Sequence, residues 1–149
     1  MASYRNKPLF WTLVALRLIV GGVFAYAGYL KLKDPWALFA MGIDSYHILP
    51  YNLVVLAAKT LPAVEVALGL WLMSGFWPRI PSTIISLLLV TFFGAMIHAK
   101  IAGQQIDCGC FGPGDPISKW TFLRDGALLA ASLFVTWFAF RGLARKSDA

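Results

Sequence analysis

Four long apolar runs dominate the chain, at about residues 9–31, 53–76, 80–102 and 119–141. Each is long enough to cross ~30 Å of hydrocarbon as a helix. Trp77-Pro78-Arg79-Ile80-Pro81 separates runs two and three, a connection so tight that the two must be antiparallel neighbours. Longer polar stretches separate the other runs. In the first of these, Asp34-Pro35 reads as an N-cap and first helical residue, predicting a short interfacial helix over 36–43. Ser118 is placed to cap the fourth run. Arg17 interrupts the first run and argues against a cleaved signal peptide. Gly21, Gly22, Ala25 and Gly28, with Ala63 and Ala67 on run two, are small residues that let transmembrane helices approach. The pattern predicts an all-α fold: one polytopic membrane domain, a four-transmembrane-helix bundle with a short interfacial helix in the first outer loop.

Composition agrees. Charged residues make up 13% of the chain, against roughly 25% in soluble domains, and mean hydropathy is +0.70. The net charge of +6 does not signal nucleic acid, because the Lys and Arg sit mostly at the ends of apolar runs, where they meet headgroups. Arg5, Lys7, Arg79, Arg141, Arg145 and Lys146 fall on one side and Lys31, Lys33, Lys100 and Lys119 on the other. This bias predicts both termini in the cytoplasm and the loop between runs three and four on the outer face of a bacterial inner membrane.

That loop holds the two cysteines, Cys108 and Cys110, in Asp107-Cys108-Gly109-Cys110-Phe111-Gly112. Disulfides persist outside the cytoplasm, and a Cys-x-Cys ring is so small that it tends toward a reducible, exchange-active bridge. Three other readings stay open: ordinary thiols, a static staple of small stabilising value, and half of a metal site. Zinc wants four ligands, and only His98 and His47 supplement the carboxylates, so no metal is assigned.

Charges within or near the runs are costly in lipid and are usually paired or functional. Counting from the outer ends of runs one and two places Arg17 ~21 Å and Glu65 ~18 Å deep, predicting an Arg17–Glu65 ion pair. His98, Arg124 and Asp125 lie nearer the level of the cysteine loop, as candidates for tuning a thiolate or moving its proton. Tyr26, Tyr29, Trp120 and Phe122 are candidates to line a quinone slot, although aromatics at this level are commonly interfacial anchors.

A wider pattern runs through Arg17, Gly21, Phe24, Ala27-Gly28, Lys31-Leu32, Asp34-Pro35, Phe39, Tyr46 and Leu49-Pro50. It continues through Leu61-Pro62, Glu65, Gly69-Leu70 and Gly75, and ends in Asp107-Cys108-Gly109-Cys110-Phe111-Gly112. Over nearly the whole chain this resembles the MauE branch of the DoxX-like membrane proteins. The resemblance implies a four-helix bundle linked to thiol redox chemistry outside the cytoplasm. The branch is associated with methylamine utilisation and with maturing a disulfide-rich dehydrogenase subunit alongside a thioredoxin-like partner. Other DoxX-like proteins are linked to quinone-coupled sulfur oxidation.

The expected function is therefore thiol–disulfide exchange through Cys108 and Cys110 with an extracytoplasmic thioredoxin-like protein, with quinone as a membrane electron carrier. The alternative is a non-catalytic assembly factor or accessory subunit of a larger membrane redox complex.

Overall fold

The computed structural model describes residues 7–147. Arg5 lies outside them, as do the side chains of Arg145 and Lys146. The elements run α1 (Lys7–Lys33), α2 (Trp36–Asp44), α3 (Tyr51–Ser74), α4 (Arg79–Ile101), β1 (Asp107–Gly109), β2 (Gly112–Pro116) and α5 (Lys119–Ser147). The four long helices carry the four apolar runs, and each has the length and hydropathy of a membrane span. Only a third or less of each apolar window is buried inside the protein. Ile19, Leu56, Leu70, Leu87, Leu123 and Trp137 are among the large apolar side chains turned outward. Lipid is the solvent that suits such faces, and the chain is a multi-pass membrane protein.

Local chemistry sets the helix ends. Gly75 closes α3 in the left-handed region, at φ 78°. Ser118 and Thr121 cap α5 reciprocally: Thr121 N–H donates to Ser118 Oγ and Ser118 N–H to Thr121 Oγ1, both at 3.3 Å. At α2 it is Pro35, not Asp34, that occupies the N-cap position; no side chain caps this end, and the Pro35 carbonyl accepts from Leu38 N–H.

Glycines lock α1 against α3. A methyl on Gly69 would stand 2.5 Å from the Gly21 carbonyl oxygen, and one on Gly28 would stand 2.6 Å from that of Pro62. Val20, Phe24, Leu68, Leu72, Ile85, Leu89 and Val135 form the core between the helices. Ser86 on α4 meets Ser132 and Thr136 on α5, each at 3.1 Å. Such hydroxyl contacts join helices where hydrophobic burial drives little association. The helix α2 covers the first turns of α3 through Phe39, Ala40, Val54 and Ala58.

The same glycine register corrects the expected Arg17–Glu65 pair. Arg17 packs its guanidinium against Gly75 at the far end of α3. Glu65 lies ten residues earlier on that helix, about 15 Å away along its axis. Counting depth from Leu53 goes astray because α3 begins beyond the level where α1 ends, over the ground that α2 covers. The partner of Glu65 is Lys31.

A second departure is the small antiparallel sheet. It pairs Asp107 with Pro116 and Gly109 with Gly112. Glycine- and proline-rich segments have low strand propensity, so this hairpin rests on fixed contacts. Gly109 and Gly114 take the positive φ that its turns need, 72° and 88°. The Asp107 carboxylate accepts from Gly114 N–H at 2.9 Å.

Candidate functional site

The hairpin carries Cys108 on β1 and Cys110 in the turn, bonded as a disulfide with Cα atoms 5.4 Å apart. Cys108 is buried and Cys110 is half-buried. The backbone here is held from two sides. Tyr46, between α2 and α3, donates its hydroxyl to the Cys108 carbonyl at 2.9 Å. Thr121 at the start of α5 donates to the Pro116 carbonyl at 3.0 Å. Burial, reinforced by the charges of Asp125, Asp107 and Asp115, pushes the Tyr46 phenol up to about 12. It therefore remains a donor across the physiological range.

Asp125, on the first turns of α5, reaches both sulfurs. Its Oδ2 stands 3.5 Å from Cys108 Sγ and 3.5 Å from Cys110 Sγ. Its Oδ1 accepts from Arg124 Nε at 2.9 Å. The Arg124 guanidinium also pairs with Asp115 at 2.9 Å and lies 4.3 Å over the Phe111 ring. The cation is thus engaged by two carboxylates, and a carboxylate rather than a guanidinium faces the sulfurs. A thiol beside such an oxygen can give up its proton to it, and a departing thiolate can regain one.

Beneath the cysteines lies a cavity of about 30 Å³, lined in part by Cys110, Phe111, Asp125, Lys31 and Glu65. Lys31 Nζ donates to both Glu65 oxygens at 2.8 Å, and both residues are buried. The ammonium also sits 4.8 Å from the Phe39 ring centroid and 5.6 Å from that of Phe92. The disulfide and the buried ion pair therefore share one small chamber. Its volume matches about one water in the liquid.

A broader groove of about 330 Å³ opens on the other side of the hairpin, between α2 and β1. Leu38, Met41, Ser45, Gln105, Asp107 and Gly109 are among the residues that line it.

Of the residues read from sequence, the structure gathers Cys108, Cys110, Arg124 and Asp125. It leaves His98 exposed on the last turn of α4, with no described contact to the cysteines. Met96 takes the inward position on that turn, and two residues farther on the helix has rotated by about 200°. Tyr26, Tyr29 and Trp120 point outward, whereas Phe122 packs edge-on against Phe93. Sequence reasoning takes Lys31 for a headgroup anchor and passes over Met96. Lys31 stands one turn beyond Ala27 and Gly28, on the helix face that closes against α3. That placement is the signal that it faces inward.

A family model described as "Methylamine utilisation protein MauE" matches residues 9–138. A curated relative, "Methylamine utilization protein MauE" of Paracoccus denitrificans, is 29% identical over 138 residues, covering 91% of this chain and 73% of that protein. No solved structure matches the chain significantly.

Proposed function

The chain belongs to the MauE family of methylamine-utilisation membrane proteins, and on that premise we propose that it is a thiol–disulfide exchange protein of the bacterial inner membrane. Its Cys108–Cys110 pair faces the extracytoplasmic side and trades electrons with a thioredoxin-like protein there. The exchange serves the maturation of an extracytoplasmic redox enzyme, in keeping with the family's link to methylamine utilisation. The observation that carries this reading is the single Asp125 oxygen 3.5 Å from both sulfurs. A passive staple has no use for a proton carrier at that point.

The chemistry closes between two proteins. A thiolate of the partner attacks Cys110 Sγ, the less buried sulfur, and the Cys108–Cys110 bond breaks. Cys108 Sγ leaves with the bonding pair and takes, by way of the Asp125 carboxylate, the proton that the partner's thiol gave up. The partner's second thiolate then attacks its own sulfur in the mixed disulfide, forming the partner's disulfide and releasing Cys110, which takes a proton from solvent. Two electrons pass to this chain and the partner is oxidised. In reverse, the Asp125 carboxylate receives the Cys108 proton. The groove beside Gly109 leaves the turn open to the approaching partner.

The test is to trap the mixed disulfide. Purified protein is mixed with a reduced thioredoxin-like protein carrying a single cysteine. A covalent adduct is expected with the parent and with Cys108→Ser activated at Cys110, and none with Cys110→Ser activated the same way at Cys108. No adduct with the parent or with activated Cys108→Ser would remove the exchange reading and leave an accessory or assembly role in its place.

A further inference from the structure

Among the described residues, the sulfur of Met96 is a donor beside the cysteines that the exchange chemistry leaves unused. Met96 is buried on α4, and its Sδ stands 3.4 Å from Cys108 Sγ. With Asp125 Oδ2 at 3.5 Å from each cysteine sulfur, three elements point four donor atoms at one place: α4, the hairpin and α5. The cysteine and carboxylate donors all lie within 4.8 Å of one another. While the disulfide is closed, neither cysteine can ligate. Its reduction, which rests on the exchange reading above, turns the same atoms into two thiols, a thioether and a carboxylate.

We infer that the reduced Cys108–Cys110 pair, together with Met96, forms a binding site for copper(I). Two thiolates and a thioether are a soft donor set, which selects copper(I) over hard or borderline divalent ions. Zinc rarely accepts a thioether; its usual ligands are Cys, His and carboxylate. Donors about 2.3 Å from one ion stand about 3.7–4 Å apart. Met96 and Asp125 already hold nearly that spacing, and breaking the S–S bond lets the two cysteine sulfurs part to reach it. Binding converts two thiols to thiolates and releases two protons. Asp125, fixed by Arg124, closes the fourth side. The bound ion occupies both sulfurs, so the loaded site cannot exchange disulfides; metal and partner compete for one reduced pair.

The test uses the full chain in detergent, reduced and kept anaerobic, titrated with copper(I) against a chromogenic copper(I) chelator. One ion per chain is expected, and Cys108→Ser abolishes it. Met96→Leu, which preserves size and removes the sulfur, weakens copper(I) by at least the about tenfold that loss of an outer-shell partner costs and leaves zinc(II) affinity unchanged. Copper(I) held equally tightly by Met96→Leu would overturn the inference. Should that variant not fold, copper-edge X-ray absorption on the parent decides: three sulfur neighbours support the site and two overturn it. Exchange is scored separately by the adduct assay. Adducts without copper binding sink only this inference, and copper binding without adducts sinks only the exchange reading.

Discussion

Lys31 reaches Glu65 across the α1–α3 interface and holds both of its carboxylate oxygens at 2.8 Å, one chamber below Cys110. Breaking a buried pair from one side strands a charge and costs about 3–5 kcal/mol, whereas replacing both partners by apolar groups of similar volume is close to neutral. Glu65→Leu should therefore lower the thermal midpoint in detergent steeply. Lys31→Met combined with Glu65→Leu should recover most of the loss. A double variant as unstable as the single one would mean that the pair does more than balance charge.

Asp125→Asn keeps the size of the side chain and removes its ability to carry a proton. The rate of disulfide exchange should fall by about 10²-fold or more, and its dependence on pH should flatten. Stopped-flow measurement against a small dithiol reads both. An unchanged rate would show that Cys108 gets its proton elsewhere.

Gly69 has no room for a side chain against the Gly21 carbonyl. Gly69→Ala forces backbone away from backbone and should cost about 1–3 kcal/mol. Gly94, also within a span, has nothing within 4 Å of its missing methyl, and Gly94→Ala should be neutral or stabilise by about 0.5–1 kcal/mol. The unfolding midpoint should therefore fall for Gly69→Ala and hold or rise for Gly94→Ala.

The Tyr46 phenol is held above its ordinary value, so the fold favours its neutral form. The stability it contributes is complete below pH ~10, where the unfolded phenol is also neutral, and drains away as pH rises toward about 12. Tyr46→Phe removes the donor to the Cys108 carbonyl and should erase this alkaline loss while lowering stability at neutral pH. Spectrophotometric titration, with unfolding followed at each pH, checks both.

The helices were legible because lipid imposes one demand on every residue of a span, and that demand repeats along the chain. Ser118 marked one of the ends by local chemistry. The cysteines and Asp125 were legible as residue types. Their meeting was not, because it depends on a hairpin whose glycines and prolines carry almost no strand signal. Register between helices was the other hidden quantity. Arg17 and Glu65 matched in counted depth, yet Gly21 against Gly69 and Gly28 against Pro62 slide the helices to a different alignment. Two residues on one turn, Met96 and His98, showed the same limit on a smaller scale. Both types suit a redox site, and only the rotation of α4 decides which one reaches it.

The glycine lock between α1 and α3 also has a mechanical meaning. With backbone seated on backbone, those two helices behave as a single stiff beam, and Lys31 and Glu65 are rivets in it. Cys108, Cys110, Met96 and Asp125 all ride on the other half, α4, the hairpin and α5, which touches the beam more sparsely. The S–S bond therefore opens within that half, beside the chamber that Lys31 and Glu65 also line.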